Sequence, residues 1–249
     1  MKVCVFVDGE NFRHAICDLF SKDGFSKNDY LPKNAKWADF FNWIVDQSAG
    51  DSGYRIRTYW YVIDLLDFYP YILPTAESDK SSLLKSLSMD MTIKDELGRL
   101  QEPELTNKVI AHRKELKDRE KVFSSRFDGW KTIQNGISTK HDSIEFRRAG
   151  AIKYDLFEKK LGQEKAVDVK LATDLIVLKD IYDVAVIVSG DQDYVPAVQH
   201  IKDHGKKVVN VSFRTINGRL LPGGAKRLNI ITDKSLEIAY KDLKDYLQI

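Results

Sequence analysis

The chain has 249 residues, 43% of them hydrophobic, and its 39 Lys and Arg residues nearly balance its 37 Asp and Glu residues, which gives a formal net charge of +2 at pH 7. This balance excludes a histone-like or polybasic-tail nucleic-acid binder, so a nucleic-acid surface has to come from local segregation of charge. The two cysteines, Cys4 and Cys17, are too few for a disulfide framework or a zinc site, and we expect buried thiols in a reducing cytosol. No apolar run approaches the ~20 residues that span a bilayer, so we expect a cytoplasmic protein that does not bind membranes.

The first third of the chain predicts two strands with a helix between them. The continuous apolar run 3–7 is typical of a strand buried on both faces, and it stops at Asp8. Apolar residues at helical spacing predict a helix over 37–47, and the aromatic and β-branched run 54–63 predicts the second strand. This order is typical of a parallel sheet covered by helices.

The composition changes after residue 70. Residues 75–107 are rich in Ser, Lys and acidic residues, and we interpret them as an insertion or a mobile lobe. Apolar residues at helical spacing then predict a helix over 108–135, with Gly136 as its stop. We therefore expect a helical insertion over about 70–135, which shapes a substrate groove or provides a contact for homo-oligomers.

The remainder of the chain alternates between strands and helices. We predict strands over 143–148, 184–188 and 207–213, and helices over 167–179, between Pro196 and Gly205, and over about 234–247. Alternation of this kind predicts an α/β fold with a mainly parallel, doubly wound sheet flanked by helices. We expect one domain over residues 1–249, interrupted by the insertion.

Aspartates follow the two most apolar strands. Asp8 ends the first strand, and Asp191 and Asp193 follow the run 184–188, while Asp168 and Asp174 lie on the helix before it. In an open parallel sheet the ligand site lies beyond the carboxyl ends of the strands. Clustered carboxylates raise one another's pKa unless a cation joins them, and an all-oxygen site selects Mg²⁺ or Mn²⁺ over zinc. Such a site supports metal-assisted attack of water on a phosphodiester.

Other interpretations of these aspartates compete at this stage. Asp is a common turn and N-cap residue after a strand. A HAD-like phosphatase requires a second Asp two residues after the first, where this chain has Glu10. A receiver-type fold requires an acidic pair before the end of the first strand and a later phosphate-binding Lys. Neither pattern fits well.

Three segments resemble the NYN domain family, a branch of the PIN-like nucleases. They are VDGENF at 7–12, EKAVDVKLATDL at 164–175 and VSGDQDYVP at 188–196, in the family's order. The resemblance spans about 1–60 and 143–213. It departs from the family at Glu10, where Gly or Asn is often found, and at residues 70–135, which have no counterpart.

The resemblance implies a Rossmann-like PIN fold and an Mg²⁺- or Mn²⁺-dependent endoribonuclease. The family's metal-site positions fall on Asp8, Asp168, Asp191 and Asp193, with Asp174 as a further acidic catalytic residue. Asn11 is the polar partner of the first aspartate. We also expect supporting or phosphate-contacting roles for Lys165, Lys170 and Ser189, although Lys170 also has the spacing to pair with Asp174 one helical turn on.

Basic and aromatic residues supply the expected RNA surface. The predicted RNA-binding residues are Arg147, Arg148, Lys207 and Arg214, with Tyr194 or Phe213 available for stacking on bases. We interpret the glycine-rich stretch 218–227 as a flexible flap. The expected function is hydrolysis of single-stranded or structured RNA. A catalytically silent RNA-binding or regulatory module is the alternative, and a phosphatase acting on small phosphate esters is a third hypothesis.

Overall fold

A computed structural model describes residues 1–24 and 30–248. The chain divides into two compact units. The large unit contains Met1–Ile63, Trp130–Ala149 and Ala166–Ile249, and the small unit contains Asp64–Gly129 and Gly150–Lys165. The expectation of a single domain with an insertion over 70–135 stays a prediction.

The described residues form eight strands and nine α-helices. The strands are β1 (Lys2–Asp8), β2 (Tyr54–Tyr69), β3 (Ile144–Asp155), β4 (Lys160–Lys165), β5 (Val184–Val188), β6 (Lys207–Arg214), β7 (Leu220–Leu221) and β8 (Lys234–Ala239). The helices are α1 (Gly9–Leu19), α2 (Trp37–Ala49), α3 (Ala76–Leu87), α4 (Lys94–Leu97), α5 (Glu104–Lys140), α6 (Val167–Val177), α7 (Val195–Asp203), α8 (Ala225–Ile231) and α9 (Tyr240–Leu247).

The sheet of the large unit has the order β3-β2-β1-β5-β6-β7, and β8 pairs with β6. The pairs β1–β2, β1–β5, β5–β6 and β6–β8 are parallel. Val7 lies opposite Val188, so the carboxyl ends of β1 and β5 meet at one edge. Chain order runs outward in opposite directions from these two strands, which places the crevice of the fold between their ends. The predicted α/β fold with a mostly parallel sheet flanked by helices is confirmed.

Strands β1 and β5 are buried because their sequences are continuous apolar runs. Helices α1 and α2 add aromatic side chains to this core, with the ring centroids of Phe12 and Trp60 5.5 Å apart and those of Trp37 and Trp60 5.1 Å apart. Each such side chain contributes about 1.5–3 kcal/mol by its burial. Packing of this core therefore fixes the positions of the two turns that follow β1 and β5.

The small unit has a hydrophobic core of its own. It includes Leu83 and Leu87 of α3, Val109 and Leu116 of α5, and Leu156. Strand β4 pairs antiparallel with the end of β3. The polar composition of 75–107 therefore does not prevent folding, since its scattered leucines are enough to pack α3 and α4 against α5.

Several predicted elements are wrong in part. The strands predicted over 54–63 and 143–148 extend to Tyr69 and Asp155. The long helix does not stop at Gly136 but continues to Lys140, because one interior glycine costs only about 1 kcal/mol and the next residue, Ile137, is fully buried. The C-terminal helix begins at Tyr240 rather than near 234, since Lys234–Ala239 form β8 against β6. The alternation that buries Ile238 and exposes its neighbours is typical of a strand.

Both cysteines are buried, as the composition predicts. Across residues 1–24 and 30–248, we find no helix with the length and apolar character that crossing a bilayer requires.

Candidate metal centre

Asp8 is a fully buried carboxylate at the turn from β1 into α1. It caps α1 by accepting from the backbone N–H of Asn11 at 3.1 Å, and its Oδ2 accepts from Asn11 Nδ2 at 2.7 Å and from Ser189 Oγ at 2.8 Å. Gly9 makes the tight turn possible, since a Cβ there would lie 2.2 Å from the carbonyl oxygen of Tyr61. The predicted pairing of Asn11 with the first aspartate is therefore present, and Ser189 joins it from the end of β5.

Asp168 lies in the first turn of α6 and approaches Asp8. The two carboxylates each offer an oxygen, and these oxygens lie within 4.8 Å of each other. The phenol oxygen of Tyr194 is 2.6 Å from Asp168 Oδ1 and 3.2 Å from Asp8 Oδ2. The side chain of Tyr194 is fully buried. The expectation that Tyr194 is available for stacking on bases is therefore wrong, and so is the same expectation for the fully buried Phe213.

Asp191 and Asp193 follow β5 in a short turn. The backbone N–H of Asp191 donates to Ser189 Oγ at 3.0 Å, and that of Asp193 donates to Asp191 Oδ1 at 2.9 Å. In the described part of the chain, neither residue joins Asp8 and Asp168 within 4.8 Å. The negative charge of Asp168 nevertheless raises the pKa of Asp191. Asp191 is therefore close enough to interact electrostatically with Asp168, which in turn approaches Asp8.

The stretch 218–227 is not a free flap. It forms β7 and the start of α8, and a Cβ on Gly224 would lie 2.1 Å from the carbonyl oxygen of Gly190. This backbone contact packs the stretch against the turn that carries Asp191.

Burial and repulsion from neighbouring carboxylates destabilise the charged forms of Asp8 and Asp191. Burial raises the pKa of Asp8 from 3.8 to about 7; hydrogen bonds from Asn11 and Ser189 lower it, and the charge of Asp168 raises it further. Burial also raises the pKa of Asp191, and the charges of Asp168 and Asp193 add to this. Among the described residues, no Lys or Arg forms an ion pair with Asp8, Asp168 or Asp191. The negative charge of this cluster is therefore not neutralised by the side chains around it.

Asp174 has a different environment. Its Oδ1 accepts from Lys170 Nζ at 2.9 Å, and its Oδ2 accepts from Arg147 Nη1 at 2.5 Å and from Tyr61 Oη at 3.0 Å. Burial alone raises the pKa of Asp174, but Lys170 and Arg147 lower it below its ordinary value. The pairing of Lys170 with Asp174 is confirmed, and the catalytic role of Asp174 stays a prediction.

The predicted RNA-binding residues do not form one group. Arg147 pairs with Asp174 and Glu145 and lies over the ring of Tyr59, with its Cζ 3.9 Å from the ring centroid. Arg148 donates to Asn135 Oδ1 at 2.7 Å.

Arg214 and Lys207 lie at opposite ends of β6. Arg214, at its carboxyl end, pairs with Glu237. Lys207 begins β6 and lies opposite Val184, so it is at the edge of the sheet away from Asp8. Lys207 therefore lies far from the acidic residues, because parallel strands place their first residues far from their last, and its RNA-binding role stays a prediction. Lys165, the last residue of β4, belongs to the small unit.

The donors fit a hard divalent cation. Asp8, Asp168, Asp191 and Asp193 offer only carboxylate oxygens, which suit Mg²⁺ and Mn²⁺. Burial disfavours the charged form of Asp8 and so raises its pKa, and a bound cation would compensate that charge.

One comparison with known proteins agrees with the resemblance drawn from the sequence. The family model described as the NYN domain matches residues 108–221, which confirms that resemblance. Because the match includes 108–135, the expectation that this part of the insertion has no counterpart in the family is wrong. The match includes Asp168, Asp191 and Asp193 but not Asp8. No curated protein matches the chain. A crystal structure of a protein of unknown function from Vibrio parahaemolyticus is similar over 95% of this chain and 92% of its own, with 14% identity and a TM-score of 0.41, a similarity too low to support a conclusion.

Proposed function

We propose that this chain, which matches the NYN domain of the PIN-like nucleases, is an Mg²⁺- or Mn²⁺-dependent endoribonuclease. One observation carries the proposal: a fully buried carboxylate, Asp8, lies beside a second carboxylate, Asp168, at the crevice of a parallel sheet, and among the described residues no cationic side chain is paired with either. A bound cation stabilises the charged form of such a pair. The family match supports phosphodiester hydrolysis as the reaction.

The chain's own residues would divide the work as follows. Asp8 and Asp168 would hold the metal, with Asp191 and Asp193 as further ligands. Asn11 and Ser189 would orient Asp8 through their hydrogen bonds to its Oδ2. When bound, the cation would activate water and stabilise charge on the phosphate oxygens.

Substrate contacts are also proposals. We assign RNA, single-stranded or structured, as the substrate, and a cytoplasmic location. Lys165 and Lys170 are candidate phosphate contacts, although the pair with Asp174 already engages Lys170. We also propose Arg214, at the carboxyl end of β6, as an RNA-binding residue. Arg147 and Arg148 are further candidates, and they would have to bind RNA while keeping their present contacts. The insertion over 70–135 would shape the groove or bring two copies of the chain together.

The proposal is tested with labelled RNAs and single-stranded DNAs incubated with Mg²⁺, Mn²⁺ or EDTA. We expect wild-type protein to cut RNA internally in either metal and not in EDTA. Asp191→Asn should reduce the rate by at least about 100-fold, because it weakens metal binding. Asp203→Asn is the matched control, since Asp203 contacts Gln199 at the end of α7 (2.8 Å), and it should cut like wild type.

Two results would contradict the proposal. Cleavage that persists in EDTA or in Asp191→Asn would exclude this site. Intact RNA in every metal, together with retained RNA binding, would favour the silent RNA-binding module.

A further inference from the structure

The hydroxyl group of Tyr194 lies near both Asp8 and Asp168. Its oxygen is 2.6 Å from Asp168 Oδ1 and 3.2 Å from Asp8 Oδ2. A phenol has one proton to donate. The shorter contact has the length of a charge-assisted O–H···O⁻ hydrogen bond, which is about 2.5–2.7 Å. The hydroxyl group therefore donates to Asp168.

The donors to Asp8 and Asp168 differ in number. Asp8 Oδ2 already accepts from Asn11 and Ser189. For Asp168, Tyr194 is the hydrogen-bond donor that contacts its side chain among the described residues, and the contact is to Oδ1 alone. The second oxygen of Asp168 is thus left available while the first is held.

The ring of Tyr194 is held rigidly. The residue follows Asp193 in the turn after β5 and precedes α7, and its side chain is fully buried. A buried ring has a fixed position, since moving it would open a cavity in a close-packed interior. Because the ring cannot move, its hydroxyl group has a fixed position, and the hydrogen bond from it fixes the position of the Asp168 carboxylate.

We propose that Tyr194 is a positioning residue, whose hydroxyl group holds Asp168 against Asp8 so that the carboxylate pair is arranged for a divalent cation before the cation binds. The inference rests on the proposed function, because it concerns the same site. A residue that orients a metal ligand through a hydrogen bond typically changes metal affinity by about 10–100-fold when it is lost.

The test is a titration of the full-length protein with Mn²⁺. Binding is measured by calorimetry and by the electron paramagnetic resonance signal of free Mn²⁺. Tyr194→Phe removes one oxygen atom and keeps the ring, and it should raise the Kd for Mn²⁺ by about 10–100-fold. Tyr182→Phe is the matched control. Tyr182 is also a buried tyrosine, but its hydroxyl group donates to the carbonyl oxygen of Leu175 at 2.5 Å, so its loss should leave the Kd unchanged.

A measurement on wild-type protein makes the test independent of the folding of the variant. A short, buried hydrogen bond should give a slowly exchanging, downfield hydroxyl proton in the NMR spectrum of tyrosine-labelled protein. We expect the chemical shift of this proton to change when Mg²⁺ is added, because the bound cation draws electron density from the Asp168 carboxylate that accepts the hydrogen bond. A signal from Tyr194 that does not respond to Mg²⁺ would overturn the inference.

The outcomes separate the two proposals. Equal Kd values for wild type and Tyr194→Phe would overturn the positioning role and leave the nuclease proposal standing, provided that Asp8→Asn abolishes binding. A wild-type protein that binds no Mn²⁺ would overturn both.

Discussion

Asp8 and Asp174 are both buried aspartates of the large unit, with 0% and 4% of their surfaces exposed, yet their surroundings have opposite electrostatic effects. Asp174 has Lys170 and Arg147 within ion-pair distance, and its pKa is lowered despite burial. Asp8 has neutral donors and a neighbouring carboxylate, and burial raises its pKa to about 7. The chain thus neutralises the charge of one buried carboxylate with its own cations, whereas among the described residues no cationic side chain pairs with the other. The second is the one at the crevice of the sheet.

The largest expected effect that tests this comparison is the pH dependence of stability without metal. The pKa of Asp8 is about 7 in the folded chain against an ordinary value of 3.8, so the folded state holds this proton more tightly than the unfolded state does. The stabilisation is fully present below about pH 4 and is lost as the pH rises to about 7. In EDTA, we expect the free energy of unfolding to fall by up to about 4 kcal/mol across this range.

Urea unfolding at several pH values measures this fall. Asp8→Asn should remove most of the fall, because it removes the buried titrating group, and wild-type protein in excess Mn²⁺ should keep its stability at pH 8. A wild-type stability that does not change between pH 4 and 7 would contradict the environment described for Asp8.

The next effect comes from the neutralised aspartate. Asp174→Asn leaves Arg147 without one of its two carboxylate partners and should lower the free energy of unfolding by about 1–3 kcal/mol at pH 7. Asp8→Asn should instead raise the free energy of unfolding in EDTA at that pH. Changes of the same sign in the two variants, measured side by side in urea, would break the comparison.

A smaller effect is expected at Lys170. Its ammonium group is paired with Asp174 four residues on, but the side chain is 44% exposed, and exposed pairs of this spacing contribute about 0.3–0.5 kcal/mol. Lys170→Met should therefore lower stability by less than about 1 kcal/mol. A cleavage rate that nevertheless falls by tenfold or more would indicate that Lys170 contacts substrate.

The smallest effect is expected at Lys207. It lies at the first residue of β6, opposite Val184 and away from Asp8, so Lys207→Gln should leave RNA binding unchanged. Arg214→Gln, at the carboxyl end of the same strand, is the paired variant and should weaken RNA binding. Filter binding at several salt concentrations measures both, and a larger loss in Lys207→Gln would reverse this assignment.

The sequence alone predicts the features that depend on local pattern. Two continuous apolar runs predict β1 and β5, and the residues that follow them include Asp8 and Asp191. Asn11, three residues after Asp8, is predicted as its partner, and both its contacts are made. These predictions succeed because the side chains lie within a few residues of a strand end.

Features that depend on distant residues could not be predicted in this way. Arg147 is 27 residues from Asp174, and its sequence neighbourhood indicates only a basic residue on a strand. Tyr194 lies 186 residues from Asp8, so its sequence position suggests an aromatic ring near the site but not its burial. The sequence predicts a helix over about 234–247, because the pairing of Lys234 with Val209 that makes 234–239 a strand joins segments distant in sequence.

The measurement that tests the central claim most directly is calorimetric titration of Mn²⁺ into wild-type protein, Asp8→Asn and Asp174→Asn at pH 8. We expect wild type to bind the metal, Asp8→Asn to lose binding, and Asp174→Asn to retain it, because Asp174 is already neutralised by Lys170 and Arg147. Mn²⁺ binding that survives Asp8→Asn but is lost in Asp174→Asn would contradict the claim that the carboxylates left without cationic partners form the metal site.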